Sequence, residues 1–307
     1  MSHNIAIAVC TFRRPLMLLR CLEEMTKLQV PPGCRIHLVV VDNAPEQSAK
    51  DTVQRIQETS VHQITYLHAQ RRGIPCARNK ALEFVLPRDF DFLAFIDDDE
   101  YPKSDWLIQM IGCAERFHEP VVVHGNVIPE CPEGAPGYLL PFFRGRTGKP
   151  TGTSLGTCAT DNVLVPVEPL RLHQLLFDES RPLAGGTDTD FFCRAAEKGL
   201  KIISCAEAVV YETVPLERIS VRWLAKRKFR VGINVGKRKL QKRKFRIFYM
   251  LLLLPRVVWK LFTALFFLLA FQRRLGAREY IAGCRYAGMI WGLLGFSMDA
   301  YGSVDGY

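Results

Sequence analysis

The densest chemistry in the chain is Asp97-Asp98-Asp99-Glu100, four carboxylates without a spacer, directly after the apolar run Phe92-Leu93-Ala94-Phe95-Ile96. Carboxylates this close repel one another, and a fold keeps them at a strand end when a cation or a donor array offsets the repulsion. Asp97 and Asp99 are two apart, so on an extended backbone both point the same way. That suits Mg²⁺ or Mn²⁺, held by one or two carboxylates with phosphate oxygens and water filling the shell. The second group is Gly185-Gly186-Thr187-Asp188-Thr189-Asp190. Asp188 suits a helix cap, or a general base on a Gly-Gly loop that takes a proton from an acceptor hydroxyl. One base plus a metal-neutralised diphosphate suffices for inverting substitution at a sugar carbon, without the second carboxylate of a retaining mechanism.

The elements that must position these groups alternate. Strands are expected at Ile5–Cys10, Ile36–Val41, Ile64–Leu67 and Phe92–Asp97, with helices from Pro15 (Leu16, Leu19, Leu22 and Met25 on one face), over Ser48–Glu58 and over Cys76–Val85. Such alternation predicts a mostly parallel sheet flanked by helices, with ligands beyond the carboxyl ends of the strands. The loops Thr11–Arg14, Asp42-Asn43, Arg71–Gly73 and Asp97–Glu100 then share one rim. The first of these has no glycine, and no Walker A sequence exists, so a diphosphate must be held by metal and arginine instead of a glycine loop. Further along, a helix is expected at Trp106–Phe117 and strands at Val121–Gly125, Asn162–Pro166, Ile202–Ser204 and Ala208–Tyr211. Residues 129–156, including Phe142-Phe143-Arg144-Gly145-Arg146, form a long loop region, and a short helix covers Cys193–Lys198.

Charge divides the chain at about residue 217. Arg218 to Arg278 holds 18 Lys and Arg and no Asp or Glu; removing those 18 from 41 leaves 23 basic against 31 acidic residues in the rest. An acidic body of residues 1–217 thus carries a basic region, 218–307, suited to an anionic partner. In that region Ile247–Leu254, Leu261–Phe271 and Ile281–Phe296 are apolar blocks, and Phe245–Phe271 can cross a bilayer only if Arg256 and Lys260 find partners or water. Binding to an anionic membrane surface explains the interleaved aliphatic blocks, a nucleic-acid partner does not, and a helical pair packed on the body is the alternative. Ten scattered cysteines show no zinc spacing, and the N-terminal apolar run is too short for a signal peptide.

The motifs resemble the family-2 inverting glycosyltransferases of GT-A fold, over about Asn4 to Glu212. Thr11-Phe12-Arg13-Arg14 is similar to the family's opening T-[FY]-x-R loop, Val41-Asp42-Asn43 to its second-strand aspartate, Gly73-Ile74-Pro75-Cys76-Ala77-Arg78-Asn79 to its G-x-x-x-A-R-N segment, Asp97-Asp98-Asp99 to its DxD motif, and Gly186-Thr187-Asp188-Thr189-Asp190-Phe191 to G-E-D-x-[DE]-[FL]. The resemblance implies that Asp42 reads the nucleoside, that Thr11, Arg13, Arg78, Asp97 and Asp98 bind the nucleotide sugar, that Asp97 and Asp99 hold the divalent metal, and that Asp188 is the base. Thr187 stands where the family has Glu. Ile219 precedes Arg222-Trp223 where processive synthases have Gln, which favours single-sugar transfer. Bacterial exopolysaccharide enzymes of the succinoglycan type are nearest in character. They imply a UDP-sugar donor, glucose transfer, a polyprenyl-diphosphate-linked glycan as acceptor, and a place on the cytoplasmic face of the plasma membrane. Direct charging of a polyprenyl phosphate, and a non-catalytic membrane or nucleic-acid adaptor, are the rival readings.

Overall fold

The computed structural model describes residues 2–143, 148–180, 182–183, 185–241, 246–296 and 298. Arg144, Gly145 and Arg146 of the expected loop, and Phe245, lie outside them. The first half alternates as its periodicity requires: β1 (Asn4–Thr11), α1 (Pro15–Met25), β2 (Arg35–Asp42), α2 (Lys50–Gln57), β3 (Gln63–His68), α3 (Ile74–Val85) and β4 (Phe92–Asp97). These strands are apolar on both faces because helices cover both faces of the sheet. Pro15 opens α1, whose buried stripe is Leu18, Cys21, Leu22 and Met25. Leu16, expected on that face, is 68% exposed, because the buried stripe centres on Leu18, Cys21, Leu22 and Met25 at helical spacing and leaves Leu16 off it.

There follow β5 (Glu100–Pro102), α4 (Trp106–Ala114), β6 (Val121–Glu130), β7 (Ser154–Leu155), β8 (Asn162–Pro166), α5 (Val167–His173), α6 (Thr187–Glu197) and β9 (Lys201–Thr213). The sheet order is β3-β2-β1-β4-β8-β6-β9-β5, with β7 also on β9. β1 to β4 are parallel, β8 runs antiparallel between β4 and β6, and β5 is antiparallel to β9, so the sheet is mixed. The two short strands expected near residues 202 and 211 are one strand, which the β6 partner follows through a bulge at Gly125. There the Asn162 amide donates to the carbonyls of Asn126 (3.0 Å) and Ala208 (2.9 Å) and accepts from the Trp106 indole (2.8 Å). A Cβ on Gly125 would overlap that amide, so only glycine fits.

Beyond a turn at Leu216–Arg218 come three helices, α7 (Val221–Gln241), α8 (Arg246–Leu269) and α9 (Arg273–Leu293). α9 is central. It packs along α7 through Gly232 and Gly236 of one helix and Gly288 and Gly292 of the other, where any Cβ would overlap the facing backbone. This reciprocal small-residue spacing brings two backbones close together, and it accounts for glycines that otherwise weaken helices. Ala277 and Ile281 of α9, with Leu224 and Ala225 of α7, share a core cluster with Leu139, Phe143, Val214 and Ile219 of the body.

Candidate active site

Because β1, β2, β3 and β4 are parallel, their following loops gather on one rim, and the carboxylate run lies at its centre. Asp97 ends β4. Its side chain is 44% exposed and stands 3.6 Å from Arg78 on α3. The crowd around it withdraws enough water to push the Asp97 carboxyl up to about 8; Arg78 opposes the rise, while Asp99, Asp161 and Asp188 add to it. Asp98 points inward, accepting from Thr11 Oγ1 (2.8 Å) and Arg14 (3.0 Å), and burial raises its pKa against the pull of Arg14. Asp99 Oδ2 accepts from Arg14 (3.2 Å) and from Arg218 (2.9 Å), which also lies 3.6 Å from Glu212. Glu100 is buried and accepts the Asp97 backbone N–H at 3.0 Å; desolvation and then Asp97 hold it well above the carboxylate range. Glu212 is raised by burial and by Asp99.

Asp188 reaches this centre from the other half of the sheet. The helix expected from Cys193 begins six residues earlier, at Thr187, so Asp188 sits in the first turn of α6 and not on the Gly-Gly loop. Gly186, at φ 94, makes the turn in. Two acidic residues in that turn suit the positive end of the helix. The Asp188 carboxylate pairs with Arg78, and the Thr187 hydroxyl lies 3.2 Å away. Arg78, 5% exposed overall, thereby joins Asp188 to Asp97, and its guanidinium lies 5.6 Å over the ring of Phe177.

The other expected binders have different places. Asp42 is fully buried: its Oδ1 accepts from Ala44 N–H (2.9 Å) and its Oδ2 from Ala49 N–H (2.7 Å) and the Tyr66 hydroxyl (3.2 Å). This carboxylate shapes the loop after β2 and presents no open edge for direct reading of a nucleoside. Its neighbour Asn43 ties that loop to the next, donating to the carbonyls of Ala69 (2.9 Å) and Arg71 (2.7 Å) and accepting from Gly73 N–H (2.7 Å). Arg13, at φ 57, pairs with Glu46 on the surface and lies 5.2 Å over the Phe12 ring, where Arg72 also lies, at 4.9 Å. Arg14, Arg218 and Asp161 were not singled out by sequence. Only the T-[FY]-x-R loop hinted at Arg14, and Arg218, 119 residues from Asp99, carries no local signal.

Among the described residues no three His, Cys, Asp or Glu side chains converge as a ready metal cage. The oxygen-only set of Asp97 and Asp99 fits a hard cation that takes the rest of its shell from a diphosphate and water. Carboxylates outnumber Arg14, Arg78 and Arg218 at this rim, so a cation that binds their ionised forms would offset the repulsion among them.

Parallel strands that deliver an acidic rim, with a second half that brings one more carboxylate across it, define a GT-A glycosyltransferase. Residues 6–170 match Glycosyl transferase family 2, and the chain is 34% identical over 241 residues to the succinoglycan biosynthesis protein ExoM of Rhizobium meliloti (strain 1021), across 76% of this chain and 74% of that one. The chain belongs to glycosyltransferase family 2. Its fold is similar to that of S. aureus TarS (TM-score 0.54, 18% identity, 76% of this chain but 40% of that one). TarS 1-349 in complex with UDP matches over 92% of this chain and 90% of its own, with a TM-score of 0.54 and 15% identity. The mannosyltransferase PcManGT from Pyrobaculum calidifontis, in complex with GDP-Man and Mn2+, matches with a TM-score of 0.53 and 19% identity over 76% and 63% of the two chains.

Proposed function

We propose that this glycosyltransferase moves one sugar, glucose in the simplest case, with inversion from a UDP-sugar to a polyprenyl-diphosphate-linked glycan in exopolysaccharide synthesis. The observation that carries the reading is Arg78, which holds Asp188 and Asp97 on one guanidinium at the strand rim. The candidate base and a candidate ligand of the diphosphate's cation are thereby held together by one side chain at the carboxyl ends of the strands. The named relative acts in succinoglycan biosynthesis, and the solved neighbours were captured with UDP, or with GDP-Man and Mn2+; both support the donor class.

Asp188 takes the proton of the acceptor hydroxyl as its oxygen bonds to the anomeric carbon. The bond from that carbon to the diphosphate oxygen breaks, and the UDP leaves with the electron pair. A divalent ion, Mg²⁺ or Mn²⁺, held by Asp97 and Asp99 would neutralise charge on the departing diphosphate. Arg78 orients the base and lies where it can pass from Asp188 toward the diphosphate. Thr11 and Arg14 fix Asp98 and so the rim, while Asp42 and Asn43 hold the loops that wall the nucleoside side. Arg13 and Arg72, over Phe12, supply positive charge at its edge. The membrane brings the lipid-linked acceptor, and α8 with the basic α7 is the attachment, on the cytoplasmic face.

Calorimetry of UDP with Mn²⁺ and then with EDTA, for the natural protein and Asp99→Asn, tests the donor site. Metal-dependent binding that the substitution abolishes is expected. UDP binding absent under both conditions, in protein whose thermal unfolding is intact, would sink the transferase mechanism as drawn.

A further inference from the structure

We infer that α8 lies in the plane of the membrane, with its apolar side in one leaflet, and does not cross the bilayer. The inference rests on the membrane attachment proposed above and specifies its form.

Composition alone permits a crossing. Ile247–Leu269 is 23 residues long with a mean hydropathy of 1.9, and 11% of its most apolar window is buried. At 1.5 Å per residue such a helix spans about 34 Å, enough for a hydrocarbon core. Its neighbours decide otherwise. The seam Leu253, Val257, Lys260, Ala264 and Phe267 is the covered side of α8, at helical spacing. Along it α9 runs antiparallel: Leu253 packs with Met289 and Leu293, the Lys260 ammonium pairs with the buried Glu279, Leu261 faces Gly283, and Leu268 faces Gly276. On α9 the same stretch carries Ala277 and Ile281, which pack into the transferase body with Leu139, Phe143, Val214 and Ile219.

The C-terminal half of α8 is therefore about one helix diameter, roughly 10 Å, from the body. Upright in a bilayer, it would carry α9's exposed Arg278 and Arg285, and then the irregular backbone near Phe143 and Val214, to hydrocarbon depth. Charged side chains are costly there, and irregular backbone facing lipid is not tolerated. Laid flat, the helix needs neither. Its outward side offers Val258, Trp259, Phe262, Leu265, Phe266 and Leu269, all exposed, and the charged ends and α7 remain in water or at headgroup level. A leaflet, not a second copy of the chain, is the occupant that charge selects. Arg218 to Arg278 has 18 basic and no acidic residues before Glu279, so a copy would set like charge against like, whereas anionic headgroups neutralise it.

Trp259 stands at the middle of the apolar stretch, which makes its depth decisive. The protein and Trp259→Phe are bound to vesicles of phosphatidylglycerol and phosphatidylethanolamine carrying bromines either near the headgroups or near the chain ends. The quenching lost in Trp259→Phe belongs to Trp259. An in-plane helix sits only about 5–10 Å into the boundary, so shallow bromines quench more. Stronger quenching by deep bromines would overturn the inference, since a spanning helix puts Trp259 at mid-bilayer. A protease site inserted between Phe271 and Gln272, where Phe271 is 90% exposed, gives a second readout. Cleavage from outside sealed vesicles should match that in detergent, and protection until detergent is added would again mean a crossing. Failure of the unmodified protein to sediment with vesicles would instead overturn the attachment itself, and a concentration-dependent dimer in ultracentrifugation would then identify a second copy as the cover.

Discussion

Arg78 binds the candidate base and a candidate metal ligand at once. Replacing Asp188 with Asn keeps the shape and removes the proton acceptor. Transfer should fall about a hundred- to ten-thousand-fold, the usual contribution of a positioned base, while UDP affinity measured by calorimetry stays within about twofold. Full activity in folded Asp188→Asn would discard the base. The pH dependence belongs to Asp97. Its folded carboxyl, raised to about 8 first by desolvation, keeps a proton at neutral pH. A cation binds the ionised form, so it must displace that proton below about pH 8, and no such cost exists above it. Mn²⁺ affinity should therefore rise as pH goes from about 6 to 8, by up to about tenfold per unit, and level off beyond. Manganese resonance at several pH values reads this directly; an affinity flat across the range would show that binding displaces no proton from Asp97.

Among the elements, those whose covering is local were legible and those whose signal is tertiary were not. β1 to β4 declare themselves by apolar runs ended by polar loops, and the rim follows from their parallel order. The start of α6 hid behind Gly185-Gly186, residues that read as loop, although Thr187, Asp188 and Asp190 are good first-turn residues. β5 is three residues long, and α5 begins directly from β8 with no separating turn, so neither leaves a pattern. The Arg218 contact with Asp99 lies across an assigned boundary at residue 217, where charge composition suggested a division but the packing shows a shared core. The glycines of α9 read as breaks in an apolar stretch and are in fact its contact with α7. Gly288→Leu should push the two backbones apart and lower stability by roughly 1–3 kcal/mol, as overpacking does. Thermal unfolding would show it, with Gly295→Ala as an unsuitable control because of its φ of 91, and Gly112→Ala, with open space at its Cβ, as a suitable one. Equal melting of Gly288→Leu and Gly112→Ala would remove the close-packing account.

For the whole molecule, the division of charge bears on the membrane attachment proposed above. The body is acidic at its centre, yet the chain as a whole has a net charge of +10 because one region supplies the excess. An anionic leaflet attracts that region and repels the body, which orients the molecule before any specific contact is made. The apolar side of α8 then holds by burial, which salt does not screen. Two forces with different salt responses predict a two-part curve. Partition onto phosphatidylglycerol vesicles should fall steeply as salt rises from about 0.05 to 0.3 M, because the Debye length shortens to several ångströms, and then settle at a residual level. Phe262→Glu with Leu265→Glu should abolish the residue of binding at high salt while leaving the steep part, since each removes an exposed apolar side chain whose burial in the leaflet would contribute about 1.5–3 kcal/mol. UDP affinity should be unchanged in both cases, because Phe262 and Leu265 are exposed side chains of α8, an element that contributes nothing to the proposed donor site. A single smooth loss to zero in the natural protein would mean that the basic charge alone attaches it, and that α8 is covered by protein in solution.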